Sequence, residues 1–268
     1  MTDDFDDISD EQLERYARHI ILKEVGGSGQ KKLLAAKVLV IGAGGLGAAM
    51  LPYLAAAGVG TIGVIDDDVV DLSNLQRQTI HTTGDIGVNK AQNAAARMRA
   101  INPDISVNIY AERITADNAA AIMAGYDIIA DGCDNFATRL IVSDAAVKLA
   151  KPLVSAALGR FDGQLSTFAP HQGTPDSPLP CYRCFMPQDP GPDAQRSCSD
   201  VGVLGPVAGI IGTMQATEVV KNIIGLGETL VGKILIFDAL DMRSRVISLP
   251  ADPACPVCRH HDKNRETP

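Results

Sequence analysis

The sequence predicts an α/β fold: a Rossmann-like mixed sheet whose parallel N-terminal half is extended by antiparallel strands, with helices on both faces and a four-cysteine zinc site. Three observations predict it. Apolar strand-like runs alternate with helical segments between residues 37 and 156, the rhythm of a parallel sheet covered on both sides. Beyond residue 156 strand-like runs follow one another without that rhythm. Two Cys-x-x-Cys pairs, at Cys181/Cys184 and Cys255/Cys258, stand far apart in the chain.

The elements follow in order. Residues 1–8 are acidic and poor in apolar side chains, which predicts disorder. Ser9 followed by Gln12 reads as a capping box that opens a short helix. A second short helix around 29–36 leads into the buried strand Lys37–Ile41. Further strands are expected near 60–65, 105–110, 126–130 and 152–156, and helices near 45–57, 88–101, 116–124 and 135–150. The helix reaching Ile101 must stop at Asn102-Pro103, because the residue before proline avoids helical backbone. Residues 158–168, 233–238 and 243–249 read as antiparallel strands, and 205–224 as a long apolar helix. The Pro/Gly-rich stretch 169–193 is long for a loop in a compact domain, which is itself a sign of function. No linker separates the halves. The expectation is one domain over 9–268, with a nucleotide-binding half at about 37–156 and a carrier-binding and zinc half at about 157–260.

The composition narrows the function classes. Of 268 residues, 46% are hydrophobic and 21% charged, and the formal net charge is -8. Nucleic acid is therefore not an expected partner. No apolar run reaches the ~18–20 residues that span a bilayer. The start, Met1-Thr2-Asp3-Asp4, is the opposite of a signal peptide. The expected compartment is the cytoplasm, without a membrane partner.

Gly42-Ala43-Gly44-Gly45-Leu46-Gly47 follows the first strand and opens a helix, the context in which a G-x-G-x-x-G turn binds a nucleotide. Backbone N–H groups at the helix start favour a phosphate. Asp66, at the end of the second strand, is placed to bond a ribose hydroxyl. These features fit NAD as well as ATP. A second glycine stretch, Gly227 to Lys233, mimics a P-loop. It has Ile234 where Ser or Thr must bind magnesium and a strand where a helix is required, so it is read as a turn. Arg77 and Lys90 flank the same sheet edge, and two cations beside a phosphate turn suit a triphosphate. Asp134, at the exit of the fourth strand, could hold magnesium together with substrate phosphates, or could cap the helix beginning at Asn135.

Several motifs then resemble, in order and spacing, the MoeB/ThiF family of adenylyltransferases. They are Glu14 to Ile20, the glycine turn, Ser73 to Gln78, Lys90, and Cys133-Asp134-Asn135. The similarity runs from about residue 9 to 258, with Gly132-Cys133 a local departure. The resemblance implies ATP-dependent adenylation of the C-terminal carboxylate of a ubiquitin-like sulfur carrier that ends in Gly-Gly. Asp66 would hold the ribose; Asn74, Arg77 and Lys90 would hold phosphates; Asp134 would hold Mg2+. Arg18 would reach into the ATP site of the second subunit of a homodimer. The molybdopterin-synthase small subunit is the favoured carrier and the thiamine-pathway carrier the alternative. The chain ends soon after Cys258, so the sulfur donor is expected to be a separate protein.

In a reducing compartment, Cys181, Cys184, Cys255 and Cys258 suggest a closed tetrahedral Zn2+ site, and the family carries the same four. His260 and His261 are expected to stay free of it. Cys198 falls where related enzymes place a cysteine for acyl or persulfide chemistry; the other reading is a bystander thiol. Cys133 is expected to pack beside the nucleotide turn. Two competing readings remain: an NAD-dependent oxidoreductase, which leaves Arg77, Lys90 and Asp134 without a task, and a zinc-stapled carrier-binding scaffold without activity.

Overall fold

Buried apolar runs set the sheet. The computed structural model describes residues 8–188 and 202–258. Its parallel strands are β1 (Lys37–Ile41), β2 (Thr61–Ile65), β3 (Ser106–Tyr110), β4 (Ile128–Asp131) and β5 (Leu153–Leu158). β6 (Asp162–Phe168), β7 (Lys233–Asp238) and β8 (Arg243–Ser248) continue the sheet antiparallel. The eight strands lie in the order β3-β2-β1-β4-β5-β6-β7-β8. The order reverses between β1 and β4, and this opens a crevice beyond their C-terminal ends.

The helices in chain order are α1 (Asp10–Arg15), α2 (Ala17–Ile20), α3 (Gly26–Ala35), α4 (Gly45–Ala56), α5 (Lys90–Ile101), α6 (Ala119–Met123), α7 (Phe136–Lys148), α8 (Tyr182–Phe185) and α9 (Gly205–Ile224). Two apolar layers cover the sheet. One packs α4, α5 and α9 against Val38, Val40, Ile62, Val64 and Val154. The other packs α6, α7 and α8 against Leu39, Ile41, Ile65, Ile129 and Leu153. Neighbouring residues of one strand thus serve opposite layers, as the two-residue period of a strand demands. Each fully buried Leu or Ile in these layers contributes about 1.5–3 kcal/mol.

Local chemistry sets the helix ends. The Ser9 hydroxyl accepts the Gln12 N–H and the Gln12 side chain accepts the Ser9 N–H, both at 3.2 Å, so the expected capping box forms. α5 ends at Ile101 before Pro103. α9 has Pro206 in its first turn and stops at Gly225, whose φ of 78° is left-handed.

Some boundaries differ from expectation. The stretch read as one strand over 158–168 breaks at 159–161, where the Gly159 N–H donates to the Asp162 carbonyl and turns β5 back into β6. Ile8, at the end of the segment expected to be disordered, is buried. α2 was not anticipated; it follows Tyr16, whose ring is buried and whose hydroxyl accepts from the Asn102 side chain. The 227–233 stretch is a turn running into β7, as expected. All six residues of β8 are exposed, and β8 ends the strand order. Among the described residues, no helix is long and apolar enough to cross a membrane.

Candidate active site

A cleft of about 390 Å³ opens at the strand-order reversal. It is lined by the ends of β1, β2, β4 and β5 and by the turns that follow them. Gly42, Gly44, Gly45, Asp66, Arg77, Lys90 and Asp134 all line it, although they are far apart in sequence. Of the described residues expected at the nucleotide, Gly47, Asn74 and Arg18 do not line it. Cys198, His260 and His261 lie outside the described residues.

The glycine turn owes its shape to close approach. Gly42 has a φ of +91°, a backbone conformation that side chains with a Cβ rarely adopt. A Cβ on Gly47 would stand 2.0 Å from the Gly42 carbonyl oxygen. The third glycine therefore packs the start of α4 onto the turn rather than facing the ligand side. Asp66 leaves β2 beside this turn. Its carboxylate accepts the Ala43 N–H at 2.7 Å and the Asp68 N–H at 2.9 Å. Burial raises the Asp66 carboxyl above its ordinary value, against the lowering pull of those two amides.

The cations sit opposite. Lys90 opens α5 and is only 5% exposed. Its Nζ donates to Oδ2 of the exposed Asp68 at 2.9 Å. Arg77 donates from Nη1 to the Ser73 carbonyl at 3.1 Å, four residues back on its own turn. Asn74 is engaged locally: its Oδ1 accepts the Asp71 N–H at 3.2 Å and closes a short 3-10 turn at Leu72–Asn74. Arg18 is exposed on α2.

Asp134 is free of the cap it might have formed. α7 begins at Phe136, and Asn135 is its cap, accepting the Thr138 N–H at 2.9 Å. The Asp134 carboxylate is exposed and makes no hydrogen bond among the described residues. One or two carboxylates beside substrate phosphates is the usual protein share of a Mg2+ site, and Asp134 fits that share.

The sequence reading missed a buried network in the cleft wall. Arg139 on α7 donates from Nη1 to Asp131 Oδ2 at 3.2 Å and to Ser155 Oγ at 3.1 Å. Its Nη2 donates to the Ala156 carbonyl at 2.7 Å and to the Cys133 carbonyl. Ser155 Oγ donates to Asp131 Oδ2 at 2.9 Å. Gln215 on α9 closes the other side, donating to the carbonyls of Asp131 and Val154 at 2.9 and 3.0 Å. The network holds the β4–α7 turn, and with it Asp134, against the end of β5. Cys133 lines the cleft in this turn. Burial, then the Asp131 charge, raises its thiol well above the ordinary value, so it stays protonated and is a poor nucleophile.

The four paired cysteines meet. Their Sγ atoms lie within 4.8 Å of one another. Cys181 stands 3.6 Å from Cys255 and 4.0 Å from Cys184, and Cys184 stands 3.5 Å from Cys258. A disulfide needs ~2.05 Å, whereas four thiolates ~2.3 Å from a tetrahedral Zn2+ stand about 3.8 Å apart. The spacing fits zinc. We expect about one zinc per chain by elemental analysis, and its loss in Cys255→Ser. A metal-free parent protein would leave the cluster as four packed thiols.

The ThiF family model matches residues 16–257. The sulfur carrier protein adenylyltransferase of Thermus thermophilus is 45% identical over 257 residues, covering 96% of this chain and 94% of that protein. The SAMP-activating enzyme E1 of Haloferax volcanii is 45% identical over 247 residues, covering 92% and 89%. The adenylyltransferase and sulfurtransferase MOCS3 of Mus musculus is 44% identical over 252 residues; the match covers 94% of this chain and 54% of that longer protein. Among solved structures, E. coli MccB superposes with a TM-score of 0.78 at 23% identity, covering 94% of this chain and 75% of that one, and this likeness is one of fold.

Proposed function

The chain belongs to the ThiF family and is an adenylyltransferase, and from that premise we propose that it uses ATP to adenylate the C-terminal glycine carboxylate of a ubiquitin-like sulfur carrier protein. One observation carries the reading. A single cleft at the strand-order reversal joins a glycine turn, the cations Arg77 and Lys90, and Asp134, whose carboxylate makes no hydrogen bond among the described residues. The names of the T. thermophilus and H. volcanii relatives support the substrate class.

The chemistry suits these parts. The carrier's terminal carboxyl has a pKa of ~3.5, so it is ionised near neutrality and no base is required. Its oxygen attacks the α-phosphorus of ATP. The bond from that phosphorus to the pyrophosphate oxygen breaks, and the carrier leaves as an acyl-adenylate with no proton transferred. The barrier lies in bringing one anion onto another, so positioned cations do most of the work.

In this reading the N–H groups of Gly44 and Gly45 face phosphate. Asp66 keeps lone pairs for a ribose hydroxyl beside the two amides it already accepts. Arg77 spans the attacking and leaving oxygens. Lys90 exchanges Asp68 for phosphate. Asn74, whose cap uses only its carbonyl oxygen, can donate its amide N–H groups. Asp134 would hold Mg2+, which when bound neutralises phosphate charge. Arg18 acts from a second copy in a homodimer. Cys181, Cys184, Cys255 and Cys258 hold a structural Zn2+. Within the family the molybdopterin-synthase small subunit is the proposed carrier, which places the enzyme in molybdenum cofactor biosynthesis with sulfur arriving from a separate donor protein.

The test is incubation with ATP, magnesium and each candidate carrier, read by intact mass. An acyl-adenylate on the molybdopterin carrier is expected. An adduct on the thiamine-pathway carrier alone would move the assignment to that pathway. No adduct on either, with the protein folded and zinc-loaded, would overturn the sulfur-carrier reading.

A further inference from the structure

His81 is enclosed between three segments that each bring a group to the cleft. It is 4% exposed. Its Nε2 lies 3.1 Å from the Ala43 carbonyl oxygen inside the glycine turn. Its Nδ1 lies 2.7 Å from Oδ1 of Asn93, which is also buried and stands three residues after Lys90 on α5. Its backbone N–H donates to the Gln78 carbonyl at 3.1 Å, closing the turn that follows Arg77.

The proton on one ring nitrogen is fixed by its partner. A carbonyl oxygen only accepts, so Nε2 carries a hydrogen and donates it to Ala43. This holds in every protonation state of the ring that keeps the bond. The Asn93 amide can serve Nδ1 from either end, as donor to a bare nitrogen or as acceptor from N–H.

That bond has a directional consequence. The Ala43 N–H is already held by Asp66 Oδ2 at 2.7 Å. With His81 holding the Ala43 carbonyl, both peptide planes flanking Ala43 are tied. In a trans peptide the C=O and the following N–H point in opposite directions. Holding the Ala43 oxygen on His81 therefore aims the Gly44 N–H away from His81. Gly44 lines the cleft and His81 does not. Gly44 has no Cβ, so nothing in its own side chain opposes a flip of that peptide. Some other group must hold it, and His81 is the group in place.

We propose that His81 is a positioning residue: it locks the Ala43–Gly44 peptide with its N–H toward nucleotide phosphate and ties the phosphate turn to the helix that carries Lys90. The proposal rests on the nucleotide-site reading above. It is silent on the carrier, so its effect falls on ATP.

The test uses the full chain. His81→Gln keeps an N–H donor at similar reach. His81→Leu and His81→Phe fill the space without one, and either carries the comparison if the other fails to fold. Binding of magnesium-ATP is measured by calorimetry, and KM for ATP and for carrier by steady-state assay. Loss of one buried hydrogen bond predicts about tenfold weaker ATP binding in the apolar variants, an unchanged KM for carrier, and recovery to within about twofold in His81→Gln. ATP binding unchanged in the apolar variants would overturn the proposal. So would His81→Gln as weak as His81→Leu, or KM values for ATP and carrier rising together, since those report packing alone. A parent protein that binds no ATP would sink the nucleotide-site reading itself, and this proposal with it.

Discussion

Asp134→Ala is expected to slow carrier adenylation by about a hundred- to a thousandfold while leaving unfolding free energy within about 0.5 kcal/mol of the parent. Both halves follow from its surroundings. The carboxylate is exposed, lines the cleft and bonds nothing among the described residues. The helix beside it is capped by Asn135 instead. Deleting the carboxylate therefore removes no hydrogen bond among the described residues, only the smallest of the charge contacts on Arg139. It does remove the cleft's open anionic ligand for a cation on the phosphates. Pyrophosphate release from ATP and carrier gives the rate, and urea unfolding gives the stability. A variant that retains parental turnover would show that Asp134 has no part in the reaction. A variant that loses turnover and stability together would assign it a structural task.

Arg139→Met, five residues along the same wall, should behave in the opposite way. Here the expected loss is about 3–5 kcal/mol of stability. The guanidinium and the Asp131 carboxylate are both buried, at 7% and 1% side-chain exposure. Methionine leaves that carboxylate with the Ser155 hydroxyl and the N–H and thiol of Cys133, all neutral donors and too little to solvate a buried charge. It also frees the carbonyls of Cys133 and Ala156. Chemical denaturation reads the effect directly. A stability change under about 1 kcal/mol would mean that Asp131 is protonated or hydrated in the folded protein, so that the pair is not an ion pair.

These two residues mark what was legible in the sequence. Strands β1, β2, β4 and β5 are short, mostly apolar runs between helical segments because they are buried on both faces, whereas β3, at the sheet edge, is exposed at Ser106 and Asn108 and is placed by its spacing between helices. The glycine turn, Asp66, Arg77, Lys90 and Asp134 share one cleft because each follows a strand end, and strand ends of a parallel sheet converge. What stayed hidden depends on contacts between distant residues. Arg139, Asp131 and Ser155 are unremarkable polar letters until β4 and β5 lie side by side. His81 likewise reads as one more polar residue of a loop until the turn at Ala43 and the helix at Asn93 close on it. The choice between Asp134 and Asn135 as cap was a matter of one position, and sequence patterns do not resolve helix ends that finely. The turn at 159–161 was misplaced for a similar reason: the break between the strands expected at 152–156 and 158–168 falls three residues later, at the short Gly159-Arg160-Phe161.

Strand β8, which pairs with no further strand beyond β7 among the described residues, bears on how this protein behaves in crowded solution. Its outer N–H and C=O groups form a template on which another extended chain could add itself, and Val246 and Ile247 are apolar and exposed there. Arg243 and Arg245 alternate along the same strand. Two copies meeting edge to edge would bring four guanidinium groups together, Arg243 partly offset by Asp241 at 3.9 Å, and the remaining repulsion discourages runaway stacking. It is electrostatic, so it fades as salt shortens the reach of charge from ~10 Å at 0.1 M to ~3 Å at 1 M. Two side chains outside the cleft thus guard the sheet edge, and concentrated salt is the condition that weakens that guard.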